Sequence, residues 1–312
     1  MIVLEDFSKN YGSYKAVEKL SFTARSSQVT ALAGLNGAGK TTVLKAVCGI
    51  HRPDSGRILI DCVDTGDGID MVNDIATIGS IDTAEEPEKA AASVGYMSEH
   101  AVFPPFFTVY EFLYHEADIL YAARFCRQKA AQAGLKKKGV ICGFECRSVK
   151  KTLMTEKKTV MTELDRVIDL CDLADLADRK IASLSNGQKR RTALARSLLG
   201  DPAVLVLDEP ASGLDPAQSA RMRSLIADLS RSKTVLFSTH LIHEMESLCA
   251  EIIILHKGRL AASGTARDLC RTANTDNLET AFLRITGQSS GEKIAIQDAV
   301  KGGGIREGCD VL

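Results

Sequence analysis

The chain has 312 residues, 45% of them apolar and 25% charged, with a formal net charge of −1. That length is ample for a buried core, while the near-neutral charge, 5% aromatic content and lack of Trp speak against a surface built to stack on or wrap nucleic acid. No apolar run approaches a membrane span and no basic-then-apolar leader is visible, so a cytoplasmic protein is expected.

Residues 2–7 alternate as a strand does, and residues 20–24 look like its partner. Tyr11 lies between them in KNYG, where its ring could stack on a purine or simply cover a sheet edge. An apolar run through Val29, Ala31, Leu32 and Ala33 then leads into GLNGAGKTT, and a helical pattern (Val43, Leu44, Ala46, Val47) follows. The nonapeptide fits G-x-x-x-x-G-K-[ST], with Gly34 first, Gly39 sixth, then Lys40 and Thr41. Glycines let successive backbone N–H groups turn inward around a polyphosphate, and the helix start adds its dipole and unpaired donors. Lys40 is expected to reach the β- and γ-phosphates and the Thr41 hydroxyl to coordinate Mg²⁺. The whole loop, Gly34, Leu35, Asn36, Gly37, Ala38, Gly39, Lys40, Thr41 and Thr42, is assigned to nucleotide.

Residues 57–60 predict a short strand, and the acidic stretch 61–89 an extended, solvated surface loop. A strand over 93–97 ends at Ser98-Glu99-His100, and Thr108 is placed to cap a helix over 109–121. Residues 124–158 are basic and read as a solvated helical insertion. Cys142 and Cys146 within it lack a second pair or a nearby His, so no metal site is expected there, and most of the nine cysteines should be reduced. Helical periodicity returns over 159–176. In LSNGQKRR a turn at Asn186-Gly187 precedes a helical run over 189–199, and Ser185 could meet an anion or merely cap that helix. The apolar run 204–207 ends in Asp208-Glu209-Pro210: Asp208 would hold Mg²⁺ opposite Thr41, and Glu209 would polarise the attacking water. No internal repeat appears, and from about Gln288 the chain is Gly-rich and weakly periodic, as a loose tail would be.

Together these residues resemble the nucleotide-binding subunit of an ATP-binding-cassette transporter over about residues 2–287. GLNGAGKTT resembles the Walker A loop, VLVLDEP the Walker B strand, LSNGQ the family's LSGGQ motif, Ser212 to Asp215 the D-loop, and STH with His240 the switch histidine. Tyr11 matches the aromatic that stacks on adenine. Residues 278–287, LETAFLRITG, are similar to a tail common in the exporter branch handling drugs, polysaccharides and other hydrophobic cargo. Two positions depart from the pattern: Asn186 stands where Gly is usual, and Glu99 where Gln is usual.

The resemblance implies an α/β fold: a P-loop NTPase core with a parallel sheet, an antiparallel β subdomain, and an inserted helical subdomain at about 100–190, the cassette ending near 287 and a tail covering 288–312. It implies an ATPase using ATP and Mg²⁺, with Glu209, His240 and Glu99 in catalysis and Thr41, Asp208 and Glu99 on the metal. Ser185, Gly187 and Gln188 of a second subunit would close on the ATP held by Lys40, and Asp215 would link the two sites. The implied partners are that second cassette, in a homo- or heterodimer, and integral membrane subunits docked near residues 99–107 on the cytoplasmic face of the membrane. A soluble regulatory ATPase acting on the ribosome or DNA is the alternative. One cassette per chain, no long coiled-coil arm and no net basic charge weigh against it.

Overall fold

A computed structural model describes residues 1–64, 77–132 and 149–288. The chain opens with a hairpin, β1 (Ile2–Tyr11) and β2 (Tyr14–Ala24), followed by β3 (Val29–Gly34), α1 (Lys40–Val47), β4 (Ser55–Asp64), β5 (Thr77–Asp82), α2 (Pro87–Ser93) and β6 (Val94–Met97). Next come α3 (Val109–Gln132), α4 (Val149–Leu170), α5 (Asn186–Ser197), β7 (Val204–Asp208), α6 (Pro216–Ser230) and β8 (Thr234–Thr239). The last described elements are α7 (Ile242–Leu248), β9 (Glu251–His256), β10 (Arg259–Gly264), α8 (Ala266–Thr272) and α9 (Leu278–Ile285).

VTALAG, VLVLD and TVLFST are buried at every position, as strands covered on both faces must be. They form the centre of a six-stranded sheet in the order β10-β9-β3-β8-β7-β6, parallel except for β10 at the edge. Because side chains alternate, this sheet feeds two cores. Ala31, Leu205, Leu207, Val235, Phe237 and Ile252 pack against the larger group of helices. Leu32, Val204, Val206, Leu236 and Ile253 pack against α1 and a second sheet. That second sheet is antiparallel, β2-β1-β4-β5, and contributes Phe7, Leu20, Ile58 and Ile60. Truncating a side chain as enclosed as Leu205 to Ala should cost about 2–5 kcal/mol, since transfer and cavity terms add.

The antiparallel sheet is tied to the nucleotide loop by a three-way joint. Gly258, in the β9–β10 turn, accepts from Glu18 N–H of β2 at 2.8 Å and donates to Ala38 O of the loop at 3.1 Å. A Cβ on Gly258 would lie 2.6 Å from Ala16 O, so only glycine allows the approach.

Several elements differ from the sequence expectation. β1 and β2 run four and six residues beyond the expected limits, to Tyr11 and back to Tyr14. Their alternation is interrupted by irregular register near Asp6 and Lys19, both at φ 48°, which hides the strands' continuity. The acidic stretch 61–89 is not one extended loop. β4 continues through Asp64 and pairs with β5 from Leu59↔Asp82 to Asp64↔Thr77, and α2 follows. Mean polarity concealed a sheet edge there, where side chains facing water need not be apolar. Residues 65–76 of that stretch, the cysteines at 142 and 146, and the expected tail from 289 onward lie outside the described residues. The helix after Thr108 extends to Gln132, and Thr108 caps it reciprocally: Glu111 N–H donates to Thr108 Oγ1 at 3.1 Å and Thr108 N–H to Glu111 Oε2 at 2.8 Å.

Candidate functional site

The parallel strands β3, β8, β7 and β6 end side by side, and the residues just past their C-terminal ends converge, as in other open α/β sheets. From β3 the chain turns through Gly34 to Gly39 into α1. Gly37 and Gly39 have φ of 80° and 105°, and a Cβ on Gly39 would sit 2.7 Å from Ala16 O. Gly39 is the N-cap of α1, and among the described residues no side chain caps that helix. Its first-turn N–H groups therefore face outward as an anion cradle. Lys40 is buried, and its Nζ donates to Gly34 O at 2.7 Å.

From β7 come Asp208 and Glu209, both buried. Glu209 stands in the left-handed region at φ 49°, a costly conformation for a non-glycine residue. Its carboxylate lies between the Lys40 ammonium and the His240 ring: Lys40 Nζ is 3.6 Å from Oε1, and His240 Nδ1 is 2.8 Å from Oε2. The Lys40 and Glu209 side chains are each 8% exposed and the His240 side chain 50%, so the pair is sealed from below and open above. A pair this deep persists because each charge compensates the other's lost hydration.

Ser238 of β8 was not singled out in the sequence, yet it sits against both acids. Its Oγ donates to Asp208 Oδ1 at 2.5 Å and accepts from Glu209 N–H at 2.9 Å. The signal existed: Ser238 opens the STH triplet, and β7 and β8 pair in register at Asp208↔Ser238. Tyr96 of β6 is a second neighbour; burial first, then the charges of Asp208 and Glu99 among others, push its phenol well above the usual range, so it stays neutral.

The remaining expected residues are placed less centrally. Glu99 follows β6, part-exposed, with His100 Nε2 at 4.0 Å. Tyr11 closes β1 at 45% exposed, its ring edge-on to His51 at 5.8 Å. Tyr14, not anticipated, lies closer to the loop: its hydroxyl is 3.4 Å from Gly37 O. Asn186 and Gly187 are not a turn before the helix but its first residues. Ser185 and Gln188 hydrogen-bond each other, Gln188 N–H to Ser185 Oγ at 3.3 Å and Ser185 N–H to Gln188 Oε1 at 2.9 Å. Gly187 lies against Gln218 of α6, whose first turn is capped by Asp215 through Gln218 N–H at 2.8 Å. Asp215 thus serves its own helix.

Among the described residues no group of three or more His, Cys, Asp or Glu side chains converges as a metal-holding cluster. The chemistry of the expected donors, the Thr41 hydroxyl and the Asp208 carboxylate, nonetheless suits Mg²⁺ bound with a nucleotide, which takes one or two protein oxygens and fills its octahedron with phosphate and water. No helix among the described residues is long and apolar enough to cross a membrane.

Comparison with known proteins identifies the family and the fold. The chain is 32% identical over 267 residues to the Nod factor export ATP-binding protein I of Paraburkholderia xenovorans (strain LB400), covering 84% of this chain and 70% of that protein. It is 27% identical to the ABC transporter ATP-binding protein YxlF of Bacillus subtilis (strain 168), covering 88% and 75%. Its fold matches a solved ATP-binding subunit of an ABC transporter with a TM-score of 0.67 at 22% identity, over 92% of this chain and 99% of that one. It also matches a dimeric ATP-binding cassette captured after hydrolysis with ADP and Pi, with a TM-score of 0.61 at 20% identity, over 85% and 98%. Residues 17–212, which carry the loop, the α5 motif and both acids of β7, match the ABC transporter family. The chain belongs to that family, as an ATP-binding subunit of an ABC transporter and an ATP-hydrolysing enzyme.

Proposed function

We propose that this subunit drives an exporter, hydrolysing Mg·ATP in a head-to-tail pair of cassettes docked on integral membrane subunits at the cytoplasmic face. The observation that carries the reading is Glu209, buried at the end of β7 and held between Lys40 and His240 beside an open anion cradle. The name of one relative quoted above, the Nod factor export ATP-binding protein I, supports export. The cassette is taken as residues 1–287, with a helical subdomain at about 100–190.

In this reading the loop N–H groups and Lys40 hold the β- and γ-phosphates, and Tyr11 covers the adenine. Thr41 and Asp208 hold Mg²⁺, which when bound neutralises charge on the phosphate oxygens. Glu209 accepts a proton from the attacking water as its oxygen bonds to the γ-phosphorus and the bond to ADP breaks. His240 and Lys40 steady the carboxylate before ATP arrives and turn to the γ-phosphate once it is bound; Glu99 orients the water or metal from the β6 side. Ser185, Gly187 and Gln188 of the second cassette close the site, and phosphate loss reopens it.

Glu209→Gln should slow hydrolysis by about a thousandfold while leaving an ATP-dependent dimer, seen by light scattering during gel filtration. Normal turnover in that variant sinks the assignment of the base. Ribosome co-sedimentation without a membrane protein sinks the transporter reading.

A further inference from the structure

Arg190, on α5, has a buried guanidinium nitrogen, Nη1, with no hydrogen-bond partner in the structure. An orphaned buried donor of this kind costs stability, so a polar role for it needs to be sought. Its placement follows from how α5 lies on β6. A Cβ on Gly95 would fall 1.9 Å from Ser197 O, so the last turn of α5 rests directly on the start of that strand. Arg190 precedes Ser197 by two helical turns and shares its face, about 10 Å along the axis. On β6, Gly95 and Met97 face the same way, and Glu99 follows two residues past the C-terminal end of that strand at Met97. Helix and strand thus carry Arg190 and Glu99 to the same end of the sheet. Burial lowers the affinity of the guanidinium for its proton, and the charges opposing that effect are, in order, Glu99, Glu209 and Asp208.

The carboxylates differ in how they are met. Glu209 has Lys40 and His240, and Asp208 has Ser238. Among the described residues, Glu99 is met within 4.0 Å by His100 alone, whose side chain is 87% exposed. No ion pair within 4.0 Å joins Glu99 to Arg190, so both enter the site with bonding capacity to spare.

We infer that Arg190 is a positioning residue acting through Glu99: it is the counter-charge that lets a third carboxylate stand beside Asp208 and Glu209 where a triphosphate must bind. This rests on the site being an Mg·ATP site. Glu99 adds negative charge where the polyphosphate brings more; Arg190, reaching in from α5, offsets it at a distance where a low-dielectric surrounding keeps the interaction strong. The same link ties the orientation of α5 to the charge state beside the γ-phosphate.

The test is a double-mutant cycle on the full chain, Arg190→Met and Glu99→Gln singly and together, reading equilibrium binding of Mg·ATP and of Mg-free ATP in a Glu209→Gln background alongside thermal midpoints. Arg190→Met should weaken binding of both about tenfold when Glu99 is intact and less than twofold in the Glu99→Gln background. In chains with Glu209 intact, Arg190→Met should raise KM more than it lowers kcat. Arg190→Lys should retain affinity within about twofold, because the charge is kept. Equal losses in both backgrounds, no loss, or failure of Arg190→Lys to rescue overturns the inference. If Arg190→Met does not fold, Arg190→Gln gives the same comparison. Undiminished turnover by Glu209→Gln counts against the hydrolase assignment alone, since the coupling is read from binding.

Discussion

Two helices begin next to sequence motifs that both look made for anions, and they begin in opposite ways. α1 starts at Gly39 with a left-handed N-cap and, among the described residues, no side chain over its end. α5 is N-capped by Ser185 with a complete capping box, the Gln188 N–H engaged by Ser185 Oγ while the Gln188 side chain turns back to accept from the Ser185 N–H. The first end is left open at a cost in helix stability and can receive phosphate without rearrangement. The second is stable by itself and offers only what its cap leaves unused. An open end suits the half of a site that must capture ligand unaided. A self-capped end suits a half that engages only after a second cassette has delivered the ligand to it.

That contrast can be broken from either side. The largest effect is expected at the open end: Lys40→Met removes the cation that faces both Gly34 O and Glu209, and should cut ATP hydrolysis by about 10²–10³, measured as steady-state phosphate release. Retained turnover would show that the cradle works by its N–H groups alone. Gly39→Ala comes next. It forces a side chain into φ 105° and against Ala16 O, which should cost about 1–3 kcal/mol in thermal or urea unfolding and weaken nucleotide binding with it. The smallest effect belongs to the capped end: Ser185→Ala should lose about 1 kcal/mol of stability while leaving ATP binding by isolated monomers unchanged. Its hydrolysis defect should appear only at concentrations where cassettes pair. Weakened monomer binding would place Ser185 in the cis site and erase the distinction.

The sequence was most legible where chemistry and local geometry coincide. The phosphate loop, the acid pair after β7, His240 and the Thr108 cap depend on residues close together in the chain, and the structure brings the first three into one site. Of the strands buried on both faces, β3 and β7 announced themselves by their apolar runs. Legibility failed where alternation was interrupted, as at Asp6 and Lys19, or where a strand lies at a polar edge, as β5 does. It failed again where a residue matters through strands distant in sequence. Ser238 is defined by its register opposite Asp208, and Arg190 by the contact of Ser197 on Gly95, neither of which is visible before the chain is folded.

The joint at Gly258 has a mechanical consequence. One turn hydrogen-bonds β2 on one side and the nucleotide loop on the other, and the Ala16 carbonyl is pressed between Gly39 and Gly258. Loop, antiparallel sheet and β9–β10 edge are thereby spliced into a single stiff block, with no room for a bend among them. Any swing that ATP provokes must be taken up across the other edge, where α5 rides on β6. The catalytic floor then serves as the anvil, and α5 as the lever that moves over it.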